Sequence, residues 1–453
     1  MSNPLVRVLK LVPAGTHLVI GGTVTLGLAS YIQISIAGHA LSGDPQRAVS
    51  ELWSLVMTVS LGLFFPIEQE LTRIVAARSV RGEGAGPVLR RAGLLTLVVL
   101  ALIGGLTALC AGQLADTFFG HNRAMVWAFV LALVGMACVY LTRGILAGLG
   151  RFNSYGISLG VEGVLRIALA GGLFLAGSHS ATDYALVMAA APLGAILVTL
   201  PATLRGSRPG PRMPWAELFQ NMTMMIFASL LAQVIVNAAV ITTALVPTGD
   251  GLTFALLSAG VLCRIPLFVF GSLQPTLMTG LTTTATSGDR AGFRKMLLQT
   301  LGVIGGLGLL GAIPAVFAGS WLISVFLGAK NTLGPLDFFW FSAGTLCYML
   351  AMVLGQALIA LSRHRQQMTG WLLGTLTLVG VTLVHGPVAT RVEVAYALGS
   401  LVTALSMLLL LLRSVARQSG SLPNPGFVTS PNAGAVASLQ NAGSRNLPTS
   451  ETQ

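Results

Sequence analysis

Of 453 residues, 54% are apolar and 9% are charged, and the mean hydropathy is +0.81, so the chain cannot clothe a core in a water-soluble surface. Twenty-six Lys and Arg against 14 Asp and Glu give a formal net charge of +12, which raises nucleic acid as a partner until the positions of the cations are considered. The six histidines show no zinc-ligand spacing, and no Walker-type loop or nucleophile elbow occurs, so neither catalysis nor a metal nor a cofactor is expected.

Apolar stretches of about 20 residues recur along the chain, the length a helix needs to cross a hydrocarbon layer of about 30 Å. Backbone polar groups in lipid must be satisfied within the segment, so these stretches are expected to be helices and the fold all-α. In chain order the predicted spans are 14–41, 49–75, 90–113, 123–147, 155–178 and 183–204, then 217–246, 252–284, 296–318, 335–361, 368–385 and 393–412. That makes a polytopic membrane protein of twelve transmembrane helices. The second and eighth spans exceed the bilayer requirement and are expected to project or to bend at Pro66, Pro266 and Pro275. Nothing at the start resembles a cleavable signal peptide. The cysteines Cys110, Cys138, Cys263 and Cys347 fall within or at the edge of spans and read as small packing residues. The diglycines Gly104-Gly105 and Gly305-Gly306 read as close helix packing.

The two halves repeat in parallel register. Gly62–Pro66 falls on Gly271–Pro275, Gly82-Glu83 on Gly288-Asp289, and Ala111-Gly112 on Ala318-Gly319. Leu146-Ala147-Gly148-Leu149-Gly150-Arg151 falls on Leu358-Ile359-Ala360-Leu361-Ser362-Arg363. Two six-helix repeats with a path between them are a common transporter design. The corresponding domains are an N-terminal segment 1–13, an N-lobe 14–204, a Pro- and Arg-rich linker 205–216, a C-lobe 217–412 and a disordered tail 413–453 rich in Ser, Pro, Asn and Gly.

With the N-terminus placed in the cytoplasm, 20 of the Lys and Arg fall on the inner side, Arg73 and Arg143 among them, and four on the outer side: Arg47, Arg123, Lys330 and Arg391. This is the positive-inside pattern. It puts both termini in the cytoplasm and explains the net charge through anionic lipid rather than nucleic acid. Two arginines remain, Arg166 and Arg264, both inside spans, where ionisable groups are costly and mark a pathway or a buried pair. Glu162 stands one turn before Arg166 and could neutralise it; Arg264 has no acid within a turn. Across the repeat, Arg264, Arg166 and Glu162 correspond to Leu55, Leu378 and Gly374, so the shared architecture does not demand these charges and they are read as serving the cargo. Arginine suits phosphate, because its planar fork pairs two oxygens at once. His17, Tyr31, Gln33, Gln233 and Asn237 are further cavity candidates, with bonding between helices as the alternative. Glu68 and Glu70, beside Arg73, read as a cytoplasmic ion-pair rim.

Arg264-Ile265-Pro266-Leu267-Phe268-Val269-Phe270-Gly271-Ser272-Leu273-Gln274-Pro275, with Gly288-Asp289 after it, resembles the eighth helix of exporters in the multidrug/oligosaccharidyl-lipid/polysaccharide superfamily. Arg143 to Phe152, followed by Glu162 and Arg166, resembles their fourth and fifth helices. The resemblance spans about residues 5–415. It implies a V of two six-helix lobes opening alternately to each side of the cytoplasmic membrane, and a cargo of sugar on an undecaprenyl-type pyrophosphate. For such a cargo the polar groups inside the spans give Arg264, Arg166, Glu162, His17, Gln233 and Asn237 as expected substrate-binding residues, with membrane lipids and envelope glycosyltransferases or polymerases as expected partners. Span 14–41 holds no Asp or Glu, against a MATE-like drug/cation antiporter, and twelve spans rather than fourteen stand against a lipid II flippase. A polysaccharide-precursor flippase fits best, with a non-transporting scaffold as the remaining alternative.

Overall fold

The computed structural model describes residues 15–245, 250–327 and 333–420. The segment 1–13, Lys330 and the tail beyond residue 420 therefore lie outside the described residues. Described residues form helices α1 (Thr16–Ala40), α2 (Asp44–Val59), a π segment (Ser60–Phe64), α3 (Phe65–Val80), α4 (Gly86–Leu109), α5 (Ala111–Phe118), α6 (Arg123–Gly148), α7 (Phe152–Leu175) and α8 (Ala181–Gly206). The second half continues with α9 (Trp215–Val236), α10 (Ala238–Leu245), α11 (Asp250–Cys263), α12 (Ile265–Thr286), α13 (Arg290–Leu327), α14 (Pro335–Ala360), α15 (His364–Leu383) and α16 (Val388–Gly420). No strand occurs among them. Residues up to Leu409 form one compact unit; those from Leu410 form another, whose described part is helical to Gly420 rather than irregular from 413.

Local chemistry starts these helices where the sequence allows it. Pro45, Pro87 and Pro335 occupy first turns, where a missing amide costs nothing. Asn122 accepts the Ala124 amide at 3.0 Å, and Ser180 accepts that of Asp183 at 3.3 Å, each satisfying an orphan donor. Among the described residues, ten helical segments are long and apolar enough to cross a membrane. Their outward faces carry Leu102, Leu106, Leu310, Phe317 and Trp321, all well exposed, as a lipid-facing surface requires. This is a multi-pass membrane protein. α9 and α15 supply the two further segments. These two pack on each other, with Thr375 donating to the Leu231 carbonyl at 3.3 Å.

Within the first half α1 packs on α7, α6 on α8 and α3, and α8 on α7. The closest approaches use missing side chains. A Cβ on Gly148 would lie 2.6 Å from Val75 Cβ and 2.8 Å from the Thr72 carbonyl, so α6 meets α3 backbone to backbone. In the second half α13 packs on α14, α9 on α15, and α12 on both α13 and α14.

The sequence repeat is a structural repeat of turns. Gly82 and Gly288 both have left-handed backbone, at φ 70° and 74°, and the next amide reaches back five residues, Glu83 to Arg78 and Asp289 to Thr284. Gly150 (φ 68°) and Ser362 (φ 59°) end α6 and α14 the same way, with Arg151 bonded to Leu146 and Arg363 to Leu358. These are Schellman closures, which favour glycine because a Cβ is strained there. Ser362 accepts that strain in the second copy.

The expected bends resolve into two kinds of break. Before Pro66 the helix widens into the π segment, and the Phe65 amide bonds Ser60 rather than Leu61. A π donor for the Leu61 carbonyl would be Pro66, which has none. That carbonyl is left orphaned, and Ser229 of α9 donates to it at 3.0 Å. In the eighth segment the break falls at Arg264, just before Pro266, whereas Pro275 sits inside the continuing α12.

Candidate functional site

Polar side chains gather in three places. The first lies inside the first half. Glu162 accepts Arg166 Nη2 at 2.6 Å and Arg143 Nη2 at 2.7 Å, and its side chain is fully buried. Arg143 Nε also donates to Ser158 Oγ at 3.1 Å, and Arg166 Nη1 to Ser30 Oγ at 3.3 Å. Beside them Tyr155 donates to the Glu68 carboxylate at 2.6 Å. A buried carboxylate between two guanidiniums is a paired cluster, which costs much if one member is removed, although Arg166 Nε is left without a partner.

The second lies inside the second half. Arg264, partly exposed, ends α11 with its guanidinium turned back toward Gly260: a Cβ there would lie 3.8 Å from Arg264 Nη2 and 3.8 Å from the Phe341 ring. Arg264 Nη1 donates to Asn237 Oδ1 at 3.4 Å, and its buried Nε has no hydrogen-bond partner. No ion pair to Arg264 occurs among the described residues. Asn237 in turn donates to Gln233, to its carbonyl at 2.9 Å and its Oε1 at 3.3 Å.

The third joins the halves. Glu70 accepts Arg73 through both oxygens at 2.6 and 2.9 Å, His364 Nε2 at 2.9 Å and Asn221 at 3.1 Å. Arg73 Nη1 also donates to Ser362 Oγ at 2.9 Å. Nearby, Thr279 of α12 donates to the Ala147 carbonyl of α6 at 2.9 Å. All lie toward the Arg-rich end. Beyond them lies a narrow cleft of about 60 Å³, with Phe65 and Gln69 from the first half and Gln233, Gln274, Tyr348 and Gln367 among its residues from the second.

Sequence-expected site residues thus divide. Arg264, Asn237 and Gln233 form a connected polar chain leading to the cleft. Arg166 and Glu162 do not join it: they pair with each other and with Arg143 within the first half, 1% and 0% exposed, and Arg166 Nε is left without a hydrogen-bond partner. His17 lies exposed on α1, where Thr16 and Val19 take the face packed on α7. Tyr31 is likewise exposed, while Gln33 is buried. Glu68 turns into the first half, away from the rim expected for it. Arg143, counted among the loop cations, is 3% exposed because α6 continues five residues further; Ser158 and Glu162, one turn apart on the next helix, were the available signal. His364 and the glutamines other than Gln233 were passed over.

No family model matches the chain. The uncharacterized protein Rv1510 of Mycobacterium tuberculosis is 25% identical over 391 residues, covering 84% of this chain and 88% of its own length. The uncharacterized protein Mb3654 of Mycobacterium bovis is 26% identical over 395 residues, with 84% and 88% covered. Among solved structures, the Vibrio cholerae MATE transporter VcmN in its bent form superposes with a TM-score of 0.76 at 14% identity, covering 89% of this chain and 96% of that one. The eukaryotic MATE transporter AtDTX14 gives 0.76 at 12% identity, with the same coverage. The fold is that of the MATE transporters. Within it, the break at Arg264 lies in the eighth membrane segment and the clasp on Glu70 ties the second segment to the eleventh.

Proposed function

We propose that this protein is a flippase that carries a lipid-linked, undecaprenyl-pyrophosphate type saccharide across the cytoplasmic membrane by alternating access of an N-lobe, residues 14–204, and a C-lobe, residues 217–412. One observation carries the reading: the partly buried guanidinium of Arg264 has no acidic partner among the described residues and leads through Asn237 and Gln233 to the cleft. An unpaired cation in a low-dielectric interior is costly unless an anion visits it. A pyrophosphate would satisfy it by paired, charge-assisted hydrogen bonds while the polyprenyl tail stays in lipid. The Arg-rich end faces the cytoplasm by the distribution of cations. The clasp on Glu70 then closes the cytoplasmic side, which leaves the cargo path open outward.

Drug/cation antiport, the activity of fold relatives, is the second reading, favoured by the carboxylates of Glu68 and Glu162 in the first half. Glu162 is already neutralised by two arginines and α1 has no acid, which supports the anionic cargo instead. The experiment is flipping of a fluorescent undecaprenyl-pyrophosphate disaccharide in proteoliposomes. Arg264→Gln is expected to slow it by about tenfold or more, the loss of one charge-assisted contact, with no proton-driven uptake of ethidium by either protein. Ethidium uptake, together with flipping unaffected by Arg264→Gln, would establish the antiporter instead.

A further inference from the structure

At the Arg-rich end the linker is fixed to the turn between α3 and α4. Gly86 donates its amide to the Arg208 carbonyl at 2.9 Å, and Arg78 Nη1 donates to the carbonyls of Pro211 at 2.9 Å and Gly84 at 3.2 Å. A Cβ on Gly210 would lie 2.7 Å from the Gly84 amide nitrogen, so backbone meets backbone. Between this held linker and the first turns of α4 lies a hollow of about 560 Å³, lined by Arg90 and Arg91 of α4, Arg212 of the linker and Trp215 at the start of α9. No Asp or Glu lines it. These three arginines make no hydrogen bond or ion pair among the described residues, whereas nearby Arg78 and Arg81 reach Glu83 and Arg151 reaches the Ala202 carbonyl. Arg91 stacks on Trp215, its Cζ 5.0 Å from the ring centroid, which uses one guanidinium face and leaves the N–H edges to donate. The hollow runs out onto the lipid-facing side of α4. Leu94 is part of its lining, and Leu94, Val98, Leu102 and Leu106, spaced one turn apart, are all exposed.

We infer that this hollow holds the headgroup of an anionic phospholipid from the cytoplasmic leaflet, with its acyl chains along the Leu94–Leu106 stripe. Three guanidiniums around one space, with no acid among them, call for an anion, and their planar forks pair phosphate oxygens by charge-assisted hydrogen bonds. Basic hollows between helices on the cytoplasmic side suit such headgroups, and the distribution of cations puts this end there. The amphipathic ring of Trp215, 46% exposed, fits the headgroup level. The volume lies within the roughly 300–1,000 Å³ usual for small-molecule sites. The apolar stripe decides the source of the phosphate. A soluble phosphate has no use for it, and an acidic protein segment would have to leave water to follow it. A zwitterionic lipid brings its own cation, which the three arginines repel. Because Arg90 and Arg91 belong to α4 and Arg212 to the linker, a headgroup held by all three fastens the linker to the first half. None of the lining residues is shared with the cleft between the halves, so the inference does not depend on the cargo.

Native mass spectrometry in a neutral detergent reads the site out. The full chain is titrated with dioleoylphosphatidylglycerol, with dioleoylphosphatidylcholine and, separately, with water-soluble glycerol 3-phosphate. One variant carries Arg90→Gln, Arg91→Gln and Arg212→Gln. A control carries Arg290→Gln, Arg294→Gln and Lys295→Gln, the same loss of charge on exposed residues at the start of α13. The apparent Kd of the first phosphatidylglycerol should rise about tenfold or more in the first variant, the loss of at least one charge-assisted contact, and stay within about twofold of wild type in the control. Phosphatidylcholine should bind all three proteins alike, which also shows that they are folded. Glycerol 3-phosphate should not bind at concentrations where phosphatidylglycerol saturates. Equal phosphatidylglycerol binding by wild type and the first variant, or an equal loss in both variants, overturns the site. Glycerol 3-phosphate binding that the first variant loses would mark a site for soluble phosphate and overturn the lipid.

Discussion

The Glu70 carboxylate and the His364 imidazole meet at 2.9 Å across 294 residues of chain, and through them the two halves of the molecule are tied. Glu70 is fully buried and accepts from three side chains, two of which, His364 and Asn221, come from the opposite half. A transporter that alternates must break this set and re-form its counterpart. Glu70→Gln removes the charge while keeping the shape and weakens each bond. A loss of about 1.5–3 kcal/mol, typical for a charge-assisted bond, would shift the conformational ratio by about tenfold or more toward opening at this end. Spin labels at Ser79 and Thr369, both exposed, in a cysteine-free background should show a new, longer distance by pulsed electron resonance. An unchanged distribution would mean that Glu70 does not hold the halves together.

Glu162→Gln addresses the first-half cluster. It leaves Arg143 and Arg166 buried with no carboxylate between them, the situation that costs about 3–5 kcal/mol when one partner of a buried pair is removed. Thermal unfolding in detergent should show a large drop in midpoint. Arg264→Leu should behave oppositely, holding or raising the midpoint, because it removes a cation that is unpaired among the described residues, while flipping is lost. Equal destabilisation by both would contradict the division between a structural cluster and a cargo group.

Gly148→Leu tests the α6–α3 contact. The new side chain must displace Val75 or the backbone at Thr72, and overpacking of this kind costs about 1–3 kcal/mol, with more expected where backbone must move. The measurement is the midpoint of thermal unfolding against Gly105→Leu, where an added Cβ meets nothing within 4 Å. A similar midpoint for both variants would sink the packing account.

The repeat and the twelve segments were legible because lipid imposes them: long apolar runs, and glycines at the turns that close them. Gly82 with Gly288, and Gly150 with Ser362, mark the same Schellman closures in both copies. Ser362 shows where the sequence said more than was read from it. A serine in a position that favours glycine signals a side chain worth its strain, and its hydroxyl receives Arg73 from the other half. Pairing across the fold was not legible. Whether Glu162 serves a cargo or two arginines depends on Arg143, nineteen residues away and one helix over. The glutamines are scattered from 69 to 367 and show no spacing, since only the meeting of two halves brings them to one cleft.

The most direct measurement concerns Arg264. Binding of farnesyl pyrophosphate and of farnesol to the purified protein and to Arg264→Gln, by calorimetry in the same detergent, isolates the headgroup from the tail. The account predicts that the pyrophosphate binds about tenfold or more tightly to the wild type than to the variant, while farnesol makes no distinction. Equal binding of farnesyl pyrophosphate to both proteins would contradict it.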